Sequence, residues 1–341
     1  MVGFSQKTKI GFAALALSVF VIIVAVVLSW RPLLETQIKN ALEERGFENV
    51  QLTLSNEEQD SLSFKDVQLG APVPLSAENI TVTYAPLDLL AGKTGTWQVK
   101  NLQIRNDAFP LPALNGKGTI FAQSDHVAIQ GQFESADHAY KLRFQTDYSF
   151  RDPNKRELTI LSAVMPWNGG TVATQNVKIL LEDRQVLDVK LNLERVSADA
   201  LLKQLTGQKA SATGTISGTL PVTIDKDGTI AVHEGTLQAQ EPGIITLSPD
   251  VIPGDNPQVD FVRNVMKDLH YTLFSVRLDS DKNNRLSVLM TLHGNNPAVQ
   301  NGRAVELNVH LTGDMLNFVQ QNLIWLSDPQ KLLERGQNEN K

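Results

Sequence analysis

Apolar and polar residues alternate along most of this chain, and that alternation limits the folds open to it. Val305, Leu307, Val309 and Leu311 oppose Glu306, Asn308, His310 and Thr312, just as Leu187, Val189, Leu191 and Leu193 oppose Asp188, Lys190, Asn192 and Glu194. Successive side chains of a β-strand point to opposite faces, so each such segment carries one apolar and one wetted face. The same pattern groups Ile80, Val82 and Tyr84, then Leu220, Val222 and Ile224, then Leu286, Val288, Met290 and Leu292. In KLRFQTDYSF, residues 141–150, it sets Leu142, Phe144, Tyr148 and Phe150 against Lys141, Arg143, Gln145, Asp147 and Ser149. One-sided strands of this kind belong to a mainly antiparallel sheet. The turn signals DPNK (152–155), NGG (168–170), DKDG (225–228) and DKNN (281–284) join them as successive hairpins.

Few segments have helical spacing. Leu34, Ile38, Ala41 and Leu42 form a stripe in residues 32–46, between Pro32 at a helix start and Gly46 at its stop, and this short helix is expected to pack on the first strands. Further helices are expected at 87–92, 197–207, 256–269 and 313–326. The polar tail at 327–341 lacks an apolar pattern.

Residues 10–30 contain no charged residue. At about 1.5 Å of rise per residue such a segment spans the ~30 Å hydrocarbon core of a bilayer. Its centre is Phe20, Val21, Ile22, Ile23, Val24, Val26, Val27 and Leu28. The only Ala-x-Ala of this segment, at 14–16, falls too early for a cleavage site, so an uncleaved anchor is expected. Lys7 and Lys9 before it place the N-terminus in the cytoplasm and all that follows Arg31 on the other side.

Composition and motifs remove several function classes. A formal charge of −6 without a dense Lys/Arg cluster does not suit nucleic acid, whose phosphates require concentrated positive charge. With no cysteine there is no disulfide, zinc-thiolate site or cysteine nucleophile. The six histidines are scattered without metal-ligand spacing. DSDKNN (279–284) begins like a calcium loop, but Asn284 stands where glycine makes the bend and Met290 where a glutamate closes the site. No catalytic, cofactor or metal site is expected.

From residue 207 to residue 325 the chain resembles the C-terminal domain of YdbH-like proteins. GTISGTLPVTIDKDGTIAVHEGTLQAQEPGIITLSP (214–249) and MKDLHYTLFSVRLDSDKNNRLSVLMTLHGNNPAVQNGRAVELNVHLTGDMLNFV (266–319) carry the likeness, with Gly214, Gly218, Pro221, Gly235, Tyr271, Gly294, Asn295, Pro297 and Gly302 at its turns and strands. The earlier part, including AENITVTYAPLDLLAG (77–92), is more loosely similar to the wider AsmA-like and TamB-like group. This divides the chain into a cytoplasmic end and anchor (1–31), a juxtamembrane helix (32–46), an AsmA-like β region (47–206), a YdbH-like domain (207–326) and the tail (327–341). The resemblance implies an inner-membrane-anchored periplasmic protein whose sheet curls into a trough along which phospholipids pass toward the outer membrane. It also implies an outer-membrane lipoprotein as partner, adding a strand at the C-terminal sheet edge.

Alternation alone is satisfied by an elongated trough with an open apolar floor or by a closed sandwich. On the first arrangement the floor is expected at Leu142, Phe144, Tyr148, Phe150, Leu286, Val288, Met290, Leu292, Leu307 and Val309. On the second, the protein is an envelope assembly factor with a partner-binding edge. A third reading, dicarboxylate binding, follows a label the domain has carried and would draw on Arg143, Arg151 and Arg156. Some eighteen strands stacked about 4.8 Å apart would extend on the order of 85 Å.

Overall fold

The computed structural model describes residues 34–313 except 45–46, 57–60, 72–73, 84–93, 106–110, 124, 153–154, 181–184, 207, 227–228, 253 and 281–285. The expected anchor, the segments at 87–92 and 314–326 and the tail lie outside the described residues. Among those described, no helix is long and apolar enough to cross a membrane.

Eighteen strands form one antiparallel sheet. The first ten follow one another as neighbours: β1 (Gln51–Asn56), β2 (Ser61–Leu69), β3 (Leu75–Thr83), β4 (Thr94–Ile104), β5 (Leu114–Ala122), β6 (His126–Ser135), β7 (Lys141–Ser149), β8 (Arg156–Trp167), β9 (Gly170–Leu180) and β10 (Leu187–Ser197). The C-terminal strands are β11 (Ala210–Ala212), β12 (Thr215–Ile224), β13 (Ile230–Val232), β14 (Gly235–Ala239), β15 (Gly243–Leu247), β16 (Leu269–Ser280), β17 (Leu286–Asn295) and β18 (Val305–Gly313). Here β11 and β12 lie along one path and β13, β14 and β15 along the next, so the eighteen segments make fifteen ranks. Fifteen ranks at ~4.8 Å extend about 67 Å, shorter than the strand count suggests. The difference arises at three breaks, at 213–214, 233–234 and 240–242, where one path is interrupted without the chain turning back. Among the described strands β1 and β18 each pair on one side only, so the sheet is open.

Local chemistry sets the turns. Asn168 and Gly169 both have positive φ (46° and 78°), as a tight hairpin between right-twisted strands requires. Bulges add curvature. Asn101 and Arg195 adopt positive φ inside strands, beside register shifts in β4 and β10. An extra residue on one strand bends it and increases its twist. The freed Asn101 N–H donates to Asn115 Oδ1 at 3.1 Å, and the Arg195 N–H to Ser217 Oγ at 2.9 Å. The following strand thus supplies a side-chain acceptor at each bulge.

Among the described residues, three α-helices pack on the sheet. In α1 (Leu34–Glu44) the buried Ile38 and Leu42 meet the core beside β1, as the sequence stripe implies. The α2 helix (Ala198–Thr206) starts at Ser197, whose Oγ accepts the Ala200 N–H, and buries Leu201 and Leu202 beside β10 and β11. The α3 helix (Pro257–Met266) is capped by Asn256, whose Oδ1 accepts the Val259 N–H at 2.9 Å. At its other end the buried Asn296 donates through Nδ2 to the carbonyls of Asn264 and Val265, tying α3 to the end of β17.

Candidate functional site

Register follows a single face through all fifteen ranks. Leu62 lies opposite Val82, Val82 opposite Trp97, Ile120 opposite Ile129, Ile129 opposite Thr146, and Thr146 opposite Leu158. The face continues through Leu191 and Leu220, Leu237 and Val276, then Met290 and Val309. The apolar side chains on it belong to one hydrophobic cluster. Nothing in the register requires the apolar face to change sides of the sheet.

The floor expected from sequence divides into two environments. Leu286, Val288, Met290, Leu292, Leu307 and Val309 are all buried, with Met290 only 3% exposed. Phe144 is 0% exposed, but its neighbours are on its own face of the sheet. Its ring stacks on Phe133 at 5.7 Å and lies 5.9 Å from Trp97. Trp97 in turn crosses β5 to reach β6, and its Nε1 donates to Gln130 O at 3.2 Å. The indole can lie flat because Gly118 and Gly131 are beneath it: a Cβ at Gly131 would come within 2.2 Å of the indole Cζ2. The alternation of residues gives Phe144 the right face but not this lid; Trp97 and the closely spaced Gly116, Gly118 and Gly131 are its signal in the sequence.

Farther along, the same face is less covered. Leu142 and Tyr148 on β7 are half-buried, as are the inward residues Ile160, Ala163, Met165 and Trp167 of β8. Phe150, just past β7, is 45% exposed and meets Tyr148 edge-on at 5.8 Å. The described helices pack chiefly beside β1, β10, β11 and β15.

Arg156 interrupts the apolar pattern. It lies directly opposite Tyr148 and in phase with Leu158 and Ile160, so it faces inward. Among the described strand positions on the inner face it is the one charged residue; the polar ones include Ser135, Thr146 and Thr174. Its guanidinium sits 4.6 Å from the Tyr148 ring centroid, a cation–π distance, and its Nε donates to Ser149 O at 2.8 Å. Arg143 is on the opposite face and exposed, and Arg151 is exposed in the following turn, so these three arginines do not line one pocket.

The wet face is separate. Over β5 to β8 it carries a broad hollow of about 860 Å³ lined by Thr119, His126, Gln130, Gln145, Asp147 and Glu157 among others. Lys178 donates to Glu157 at 3.1 Å and holds that carboxyl below the usual range; His126 does the same for Asp125 at 3.2 Å. Among the described residues, no group of three or more His, Asp or Glu could hold a metal ion.

These features match a known pattern at the level of family. The family model described as YdbH-like, intermembrane phospholipid transport protein YdbH, matches residues 133–336. The match begins in β6 and takes in β7 and β8, well upstream of the stretch where the sequence likeness is densest. No curated protein and no solved structure matches the chain. With more than half of its length matched by that model, and with one long open antiparallel sheet as its body, the chain belongs to the YdbH-like family.

Proposed function

We propose that this protein is an envelope lipid carrier, anchored in the inner membrane by residues 10–30, with its sheet in the periplasm and phospholipid acyl chains guided along its inner face. One observation carries the reading: a single apolar face runs through fifteen ranks of an open sheet and stays partly uncovered at the ends of β7 and along β8 from Ile160 to Trp167. Acyl chains need no catalytic group. Burying a methylene contributes about 0.8 kcal/mol, so a sixteen-carbon chain gains on the order of 12 kcal/mol before ordering costs. Leu142, Tyr148, Ile160 and Met165 are the first contacts on this reading, and the sealed residues Leu286 to Leu292 are reached only when the C-terminal ranks open. At about 67 Å the sheet needs a partner to complete the path. An outer-membrane lipoprotein strand at the unpaired side of β18 serves that role here.

A second reading takes support from the burial of Leu286, Val288, Met290 and Leu292: these ranks form a packed core and the protein serves as an envelope scaffold. Dicarboxylate binding draws no such support, because Arg143 and Arg156 face opposite sides of the sheet. Transfer of fluorescent phospholipid between donor and acceptor vesicles separates the carrier from the scaffold. The carrier speeds transfer, and Met165→Asp abolishes the gain while the protein stays folded. A folded wild-type chain that leaves the transfer rate unchanged contradicts the carrier reading.

A further inference from the structure

We infer that Thr174, on the partly uncovered stretch of the inner face, receives the ester carbonyl of a bound phospholipid. The inference rests on the lipid-carrier reading and adds to it the point at which the neutral linkage of the lipid is held. Broken alternation on two neighbouring strands puts the residue there. On β9, Val177 faces inward opposite Ile160, and strict period two from it would turn Thr174 outward. Asn176, at a positive φ of 55°, interrupts that period, so Thr174 joins Val172 on the inner face. On β8, Ile160 and Ala163 share the inner face with two residues between them, and Ala163 lies directly opposite both Leu142 and Thr174.

The hydroxyl placed in this way is unspent. Thr146 Oγ1, also on the inner face, donates to Glu157 O at 2.7 Å, and Ser135 Oγ donates to Asp137. Among the described residues, Thr174 Oγ1 is the buried side-chain oxygen with no hydrogen-bond partner. An unpaired buried polar atom is costly, so native proteins keep one only for a reason. Thr174 as a whole is half-buried, and the facing Ala163 is the smallest inward side chain of β8, which leaves room beside it. Rotation about χ1 turns the hydroxyl into that room and breaks no hydrogen bond. An ester carbonyl is an acceptor joined directly to the acyl chain, which then lies against Leu142, Ile160 and Met165. A neutral hydroxyl among apolar neighbours suits this linkage and not a charged headgroup.

The test uses the full chain in non-ionic detergent with two fluorescent probes of the same headgroup and chain length: diester phosphatidylglycerol and its dialkyl-ether analogue, which lacks the carbonyls. Wild type should bind the diester about fivefold more tightly, the effect of one neutral hydrogen bond. Thr174→Val, close in shape but without the hydroxyl, should bind the diester only as well as the diether, with diether affinity unchanged. Thr174→Ser should keep most of the preference. The urea midpoint of Thr174→Val should equal or exceed that of wild type, because the substitution removes an unpaired hydroxyl. A clear fall in that midpoint would show that the hydroxyl is bonded within the protein and would overturn the assignment. If Thr174→Val keeps the diester preference, or wild type has none, Thr174 is not the ester position while the carrier reading stands. If folded wild type binds neither lipid, the carrier reading falls and the assignment falls with it.

Discussion

The β16–β18 ranks and the β7–β9 ranks are built from the same alternation and end in different states. On β17, Leu286, Val288, Met290 and Leu292 alternate with Ser287, Leu289, Thr291 and His293, and every inward side chain is buried. On β8 the inward Ile160, Ala163, Met165 and Trp167 remain half-buried. The difference follows from what lies nearby. Asn296, just past β17, fixes α3 to the end of that strand. The described helices pack chiefly beside β1, β10, β11 and β15. Alternation sets which side chains face inward, and separate elements decide whether that face becomes a core or a surface.

The largest expected effect comes from placing the same charge in both regions. Met290→Asp should unfold the protein, because a buried unpaired carboxylate costs more than about 4 kcal/mol. Met165→Asp should cost under about 2 kcal/mol, since its half-buried position leaves the charge partly hydrated. Urea unfolding of the two variants checks the contrast, and equal losses would erase it. On β4, Trp97→Ala should cost about 3–5 kcal/mol by emptying the space over Gly118 and Gly131, and a change in near-ultraviolet circular dichroism would report the same collapse. Asn296→Ala leaves two α3 carbonyls without their donor and should cost about 1–3 kcal/mol, with faster hydrogen exchange confined to α3.

At the smaller end, Ser217→Ala should cost about 1 kcal/mol through the unsatisfied Arg195 N–H, detected as faster exchange of that amide. The smallest effect is electrostatic. Lys209 bonds Asp250 at 2.6 Å, and with Ser248 it holds the Asp250 carboxyl down at about 2, against an ordinary 3.8. A lowered folded pKa contributes stability that is present above pH 3.8 and lost as pH falls toward 2. Lys209→Met should move the Asp250 titration, followed by NMR, up toward 3.8 and leave both β16–β18 and β7–β9 intact.

Much of this is legible in the residues themselves. The hairpin at Asn168-Gly169, the helices at 198–206 and 257–266, and the inward side of β7 follow from turn chemistry and spacing. Rank number is not, because the interrupted paths β11–β12 and β13–β15 look like separate strands. The bulges at Asn101 and Arg195 leave no glycine to mark them; their positive φ is held by acceptors on the next strand, at Asn115 and Ser217. Arg156 reads as one more turn charge after DPNK. Its phase with Leu158 and Ile160 is the signal, masked by the continuous apolar run that follows and by the register shift between β7 and β8. Burial of the floor is not visible at all, since Met290 and Met165 have similar neighbours in sequence and different ones in space.

The most direct measurement is photo-crosslinking in cells with benzoylphenylalanine placed at Met165 on β8 and at Met290 on β17. Lipid adducts at Met165, with few or none at Met290, are the predicted result. Folded protein with no lipid adduct at Met165 would contradict the claim that the inner face at β7 to β9 carries phospholipid.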